Sequence, residues 1–162
     1  MIEDEIHSMG LSVGDQLPAF TLTDQDGKRR STDELNGRCL VLFFYPKDDT
    51  PGCTMQACSF RDSNNALEQL GAVVWGVSGD DTVSHRRFAA RHNLPFPLLS
   101  DSGNTLRRRF GVPKAMGLLP GRVTYICDGD GIVRHIFSNL LDGPAHVREA
   151  SRILKDLNHC PV

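Results

Sequence analysis

The stretch "CLVLFFYPKDDTPGCTMQAC", residues 39–58, decides the fold. Cys39 to Tyr45 form a continuous apolar run rich in aromatic and branched side chains. Such a run fits a strand buried on both faces. Pro46 ends it, and Lys47-Asp48-Asp49-Thr50 has turn chemistry. Pro51 suits the first turn of a helix, predicted to continue to Gln69. The segment reads strand, loop, helix, with Cys53 in the helix's first turn.

On the N-terminal side, residues 1–12 read as a leader and 13–162 as one domain. "PAFTLTDQDGKRRS" (18–31) reads as a β-hairpin turning at Asp26-Gly27. On the C-terminal side, "AVVWGVS" (72–78) is a second buried strand. Residues 82–92 read as a helix, "FPLLS" (96–100) as a short strand, and 103–110 as a short helix closed by Gly111. "RVTYIC" (122–127) and "IVRHIFS" (132–138) flank the turn signal "DGDG". From residue 144 onward Val147, Ala150, Leu154 and Leu157 recur at helical spacing. Strands alternating with helices imply an α/β layered domain, parallel at its centre, with an antiparallel edge from the closing hairpin.

The composition is that of an ordinary globular domain, 40% hydrophobic and 23% charged. A net charge of −2 gives no reason to expect nucleic acid or an anionic membrane as partner. Arg107-Arg108-Arg109 reads as a solvated helix face. The acidic start "MIEDEIHSMG" lacks the apolar core of a signal peptide, although Met9 offers an alternative start. No stretch approaches the ~18 apolar residues of a membrane span. The expected location is cytoplasmic, where thiols stay reduced. Five cysteines in no scaffold pattern leave one question, which of them reacts.

Cys53 is the candidate. A helix N-terminus carries unpaired N–H groups and a partial positive charge, and both favour the thiolate, the reactive form. The Thr50 hydroxyl, three residues earlier, is placed to donate to a thiolate or to accept from a substrate. Gly52 permits close approach of another molecule, and the Gly52 and Cys53 amides make a small oxygen cradle. Pro46 and Pro51 stiffen the loop. Attack on a peroxide also requires a cation where charge grows on the departing oxygen. Arg122 is the candidate, because it begins an apolar strand where a charge is costly without a purpose.

"FFYPKDDTPGCTMQACSFRD" (43–62) resembles the active-site segment of the peroxiredoxins. Pro46, Thr50 and Cys53 match their Pro-x-x-x-Thr-x-x-Cys motif. A second cysteine five residues on is similar to the PrxQ, or bacterioferritin comigratory protein, subgroup. The likeness extends to "SDSGNTLRRRFGV", "RVTYICDGDG" and the last helix. It implies a thioredoxin-like fold, a central mixed β-sheet flanked by helices with an N-terminal β-hairpin. It implies reduction of hydrogen peroxide and organic hydroperoxides without a cofactor. Cys53 would be the peroxidatic thiol, Thr50 and Arg122 would activate thiolate and peroxide, and Pro46 would shield the site. Gly52, Thr50 and Arg122 would meet the substrate. Cys58 would resolve the sulfenic acid as a disulfide, and thioredoxin or a similar dithiol would reduce it. The subgroup implies a monomer.

The spacing then has a consequence. In one intact helix, residues five apart rise ~7.5 Å and point ~140° apart. Their Cα atoms stand ~8 to 9 Å apart, against a disulfide limit of ~7 Å. Pairing Cys53 with Cys58 therefore requires the first turn to unwind.

Cys39 and Cys127 read as inert apolar residues, and Cys160 as a tail residue that could resolve Cys53 from a second chain. The six histidines show no metal-ligand spacing with the cysteines, and no nucleotide fingerprint is present. Three other classes remain as readings of Cys53: a dithiol oxidoreductase, disfavoured by the missing Cys-x-x-Cys; a redox sensor, distinguished by turnover; and a metal module, distinguished by zinc content.

Overall fold

The computed structural model describes residues 10–115 and 119–157. The leader residues 1–9 with Met9, and Cys160, lie outside the described residues. Residues 10–12 rest on the domain: the Leu11 amide donates to the Phe110 carbonyl, and its side chain packs on buried residues.

A hairpin of β1 (Thr21–Thr23) and β2 (Arg29–Ser31) opens the fold. Asp24 shapes its turn, its Oδ1 accepting from the Asp26 and Lys28 amides, and Gly27 supplies the positive φ of 77°. Then come β3 (Cys39–Phe44), α1 (Pro51–Gln69), β4 (Ala72–Ser78), α2 (Thr82–His92), β5 (Leu98–Ser100) and α3 (Thr105–Phe110). A small ribbon of β6 (Lys114–Ala115) and β7 (Leu119–Pro120) precedes β8 (Val123–Cys127), β9 (Val133–Ser138) and α4 (Gly143–Leu157). The ribbon and a 3-10 turn at Thr32–Leu35 were not announced by the sequence pattern, and the helix expected over 103–110 begins at Thr105 after a 3-10 turn at Ser102–Asn104.

The main sheet runs β2-β1-β5-β4-β3-β8-β9. β3, β4 and β5 are parallel neighbours, and the hairpin and β8-β9 add antiparallel edges. β3 explains the two-layered core. Cys39, Val41 and Phe43 face α1, α2 and α4, where they meet Phe60, Phe88 and Ala150. Leu40, Leu42 and Phe44 face the other way, toward Phe20, Leu106 and Phe110. A strand with helices or loops on both faces must be apolar at every position, and all six residues of β3 are buried.

This topology positions the site. Loops leaving the C-terminal ends of parallel strands gather at one edge, where α/β proteins place their ligands. The segment 46–50 leaves β3 there, beside the loop leaving β4. The antiparallel register Phe44↔Val123 brings the start of β8 to the same edge.

Candidate active site

Arg122, one residue before β8, thus stands next to Tyr45 and the loop after it. Its side chain is 5% exposed. Nε donates to the Leu140 carbonyl at 3.0 Å, and Nη1 donates to Gln56 Oε1 at 2.5 Å. These acceptors are neutral, so neither cancels the charge of Arg122. The guanidinium lies over the first turn of α1. A Cβ on Gly52 would come 3.0 Å from Arg122 Nη2, so glycine here is what lets the arginine approach.

Cys53 and Cys58 are free thiols in one unbroken helix, Cys53 buried at 1% exposure and Cys58 half-buried. Thr50 is the residue before α1, in extended conformation, yet its hydroxyl does not cap the helix. Oγ1 donates to the Lys47 carbonyl at 2.9 Å. With that hydrogen committed, the oxygen has only its lone pairs left for a further bond. Pro46, Lys47, Thr50, Gly52 and Arg122 line an open cavity of about 510 Å³, completed by Pro120, Leu140 and Leu141. The cation and the threonine hydroxyl thus share a pocket with an apolar side.

Three further groups hold this arrangement and were not singled out from sequence. Gln56 is fully buried one turn after Cys53, and its Oε1 faces Arg122. A polar amide on the buried face of "CTMQAC" was the available signal. Asp48 anchors the loop from inside. Its Oδ1 accepts from the Tyr45 hydroxyl at 2.6 Å, and its Oδ2 lies 2.9 Å from Ser84 Oγ and 2.7 Å from His85 Nδ1. His85 Nε2 meets the Leu99 carbonyl at 3.1 Å, and the Asp48 amide donates to Asp80 Oδ2. Burial, and next the Asp48 charge, push the Tyr45 phenol well above its ordinary range, so Tyr45 stays a donor. Ligand atoms of Asp48, Asp80 and His85 lie within 4.8 Å of one another, a spacing that suits a cation. Their bonds to Tyr45, Ser78, Ser84 and Leu99 instead make them a hydrogen-bonded brace between the loop, β4 and α2.

The third is Arg107, and here the sequence reading is corrected. Arg108 and Arg109 are exposed, but Arg107 is 5% exposed and points into the molecule. Its Nη2 donates to the Tyr45 carbonyl at 2.6 Å and its Nη1 to the Gly121 carbonyl at 2.5 Å. Burial pushes its guanidinium below the ordinary range, while Asp101 and Cys53 pull the other way. The other cysteines are quiet for different reasons. Burial, and then Asp128, push the Cys127 thiol up to about 12, as an inert residue requires. Cys39 is disulfide-bonded, which corrects its reading as a simple apolar filler.

Residues 13–136 match the model of the AhpC/TSA family. The chain belongs to the AhpC/TSA family. Chloroplastic peroxiredoxin Q of Triticum aestivum is 49% identical over 148 residues, 91% of this chain and 68% of the relative. The crystal structure of peroxidoxin BcpB from Mycobacterium tuberculosis superposes with a TM-score of 0.84 at 34% identity, covering 91% of this chain and 99% of that one. Bacterioferritin comigratory protein of Xanthomonas campestris, described for its alkyl peroxide reduction activity, matches with a TM-score of 0.79 at 29% identity, over 88% and 99% of the two chains. The fold is thioredoxin-like, and this peroxiredoxin of the PrxQ group is a thiol-dependent peroxidase. Among the described residues no helix is long and apolar enough to cross a membrane.

Proposed function

We propose that Cys53 is the peroxidatic thiol and Cys58 its resolving partner. The observation that carries this is the Arg122 guanidinium, buried without a carboxylate partner among the described residues and lying over Gly52 beside Cys53. The Cys53 thiolate attacks the terminal oxygen of ROOH. The S–O bond forms as the O–O bond breaks, and ROH leaves with the proton. Arg122 stabilises the charge growing on the leaving oxygen, Thr50 Oγ1 accepts from the hydroperoxide O–H, and Gly52 leaves room for the oxygens. Pro46 covers the site from water. The Cys58 sulfur then attacks Cys53 sulfur, releasing water and leaving a disulfide. The first turn of α1 unwinds to permit this bond. An external dithiol, thioredoxin by our reading, reduces it with two electrons and two protons.

Pro120, Leu140 and the exposed Leu141 give the cavity its apolar side. That surface favours organic hydroperoxides as well as hydrogen peroxide, in keeping with the alkyl peroxide reduction named for the Xanthomonas protein. The reading takes a monomer as the working unit, since both thiols lie in one helix. It places the protein in the cytoplasm, whereas the plant relatives are named as chloroplastic; fractionation of the source cells separates the two.

The test is non-reducing intact mass with peptide mapping after one equivalent of hydrogen peroxide. An intrachain Cys53–Cys58 bond is the expected product. Lasting oxygen on Cys53 alone would remove Cys58 from the mechanism, and a bond between chains would remove the monomer. Cys53→Ser should abolish turnover. Cys58→Ser should react once and then stall with thioredoxin.

A further inference from the structure

The last cross-strand pair between β3 and β8 is Phe44↔Val123. Beyond it the strands diverge, β3 into Tyr45-Pro46 and β8 back into Gly121-Arg122. Both chains therefore leave a ladder whose next carbonyls have no strand partner across the gap. Arg107 fills that fork. One guanidinium edge bonds the Tyr45 carbonyl at 2.6 Å and the Gly121 carbonyl at 2.5 Å. Its face lies against Phe44, with Cζ 5.6 Å from the ring centroid. The backbone that carries it is itself fixed, because Asp101 Oδ1 and Oδ2 accept from the Leu106 and Arg107 amides at 2.7 and 2.9 Å.

Two features make this more than a structural bond. The residues held are those immediately before Pro46 and Arg122, so one planar group ties the thiol-bearing loop to the cation that faces it. Moreover, no carboxylate among the described residues forms an ion pair with Arg107; both of its Nη contacts are neutral carbonyls. Asp101 offsets its charge only at longer range, since both of its oxygens bond amides rather than the guanidinium, and a buried cation so weakly compensated calls for a reason.

We propose that Arg107 is a positioning residue of the peroxide site, a clamp that sets the Pro46 loop against Arg122 and lends its charge to the Cys53 thiolate. Arginine is required for this, because its fork meets two acceptors at once and a lysine ammonium has no such plane. The inference rests on the reading of Cys53 as the peroxidatic thiol.

The experiment compares two reactions of the same sulfur in the full chain, both followed on the Cys53 peptide. One is oxidation by hydrogen peroxide, which needs Arg122 aligned. The other is alkylation by iodoacetamide, which does not. In Arg107→Met the ratio of the two rates should fall by about 10- to 100-fold, since ångström-scale misplacement costs that much. Arg107→Lys should restore part of the ratio. A merely structural role would leave the ratio unchanged in the folded variant. A ratio within about twofold of the parent value in Arg107→Met would overturn the proposal. If that variant does not fold, a parent-like ratio in Arg107→Lys would do the same. Mapping of the parent separates the two readings: peroxide consumed without oxidation of Cys53 overturns the site assignment and the clamp together. Oxidation on Cys53 with an unchanged ratio overturns the clamp alone.

Discussion

Gly52 separates activity from stability at a single atom. It lies in the first turn of α1 with no positive φ, so alanine there meets no backbone strain. The added Cβ would nevertheless sit 3.0 Å from Arg122 Nη2 and push the guanidinium aside. Gly52→Ala should therefore stay folded yet lose about 10-fold or more in its rate with peroxide. Stopped-flow kinetics beside a thermal melt decides it; a fully active variant would mean Arg122 does not need its present place. Asp48 makes the opposite case. Its carboxylate receives Tyr45, Ser84 and His85 in the interior, and Asp48→Ala leaves all three without their acceptor. Leaving buried polar groups unsatisfied costs ~1 to 3 kcal/mol, so denaturant unfolding should show a loss of at least that size. These residues also mark where sequence reading stopped. Pro46, Thr50 and Cys53 stand together in one distinctive segment and Arg122 at the start of an apolar strand in a plainer context, while Arg107 is hidden by two exposed arginines beside it. Which arginine of three turns inward depends on the register of α3 against β3 and β8, and a three-residue charge run carries no such information.

At the scale of elements, the Cys53–Cys58 switch acts on the first turn of α1, and α4 opposes it. Gly143 begins α4 against the turn of α1 that follows it: a Cβ there would lie 2.7 Å from Gln56 Cβ and 2.9 Å from its backbone nitrogen. Unwinding that spreads from the first turn to Gln56 breaks this contact and the bond between Gln56 and Arg122. Peroxide oxidation should accordingly raise hydrogen exchange in 51–58 and in the start of α4, with little change in β3 and β4. Unchanged exchange in 51–58 of the disulfide form would refute the switch. Most elements involved were legible from the sequence, for physical reasons. β3 and β4 are buried on both faces and so read as apolar runs, and α1 begins with Pro51 as anticipated. The β6-β7 ribbon was not legible, because two-residue strands carry no periodicity. Nor was the brace at Asp48, since it joins residues far apart in the chain that only the sheet order brings together.

Across the whole molecule, one buried histidine ties the acid limit of stability to the active-site edge. His146 on α4 is buried between Thr124 and Asn139. Nδ1 lies 2.7 Å from Thr124 Oγ1, and Nε2 donates to the Asn139 carbonyl at 2.8 Å. Burial pushes its pKa below the ordinary 6.5; the bond to Asn139 opposes this, and the Arg122 charge adds to the fall. The unfolded chain therefore takes up this proton before the folded one does. The stabilisation from a neutral His146 is fully present above 6.5 and is lost as pH falls below that value toward the lower folded pKa. The link to the site is the Arg122 charge, which opposes a second positive charge on His146; Arg122 Nε donates to the Leu140 carbonyl beside Asn139, so the proton that destabilises α4 also repels the arginine. Melting temperature should drop as pH is taken below 6.5, and His146→Gln, which keeps a donor without titrating, should flatten that part of the curve. A variant as acid-sensitive as the parent would assign the slope to other groups. A flattened melt with an unflattened peroxide rate would show that α4 bears the protonation without passing it to Arg122.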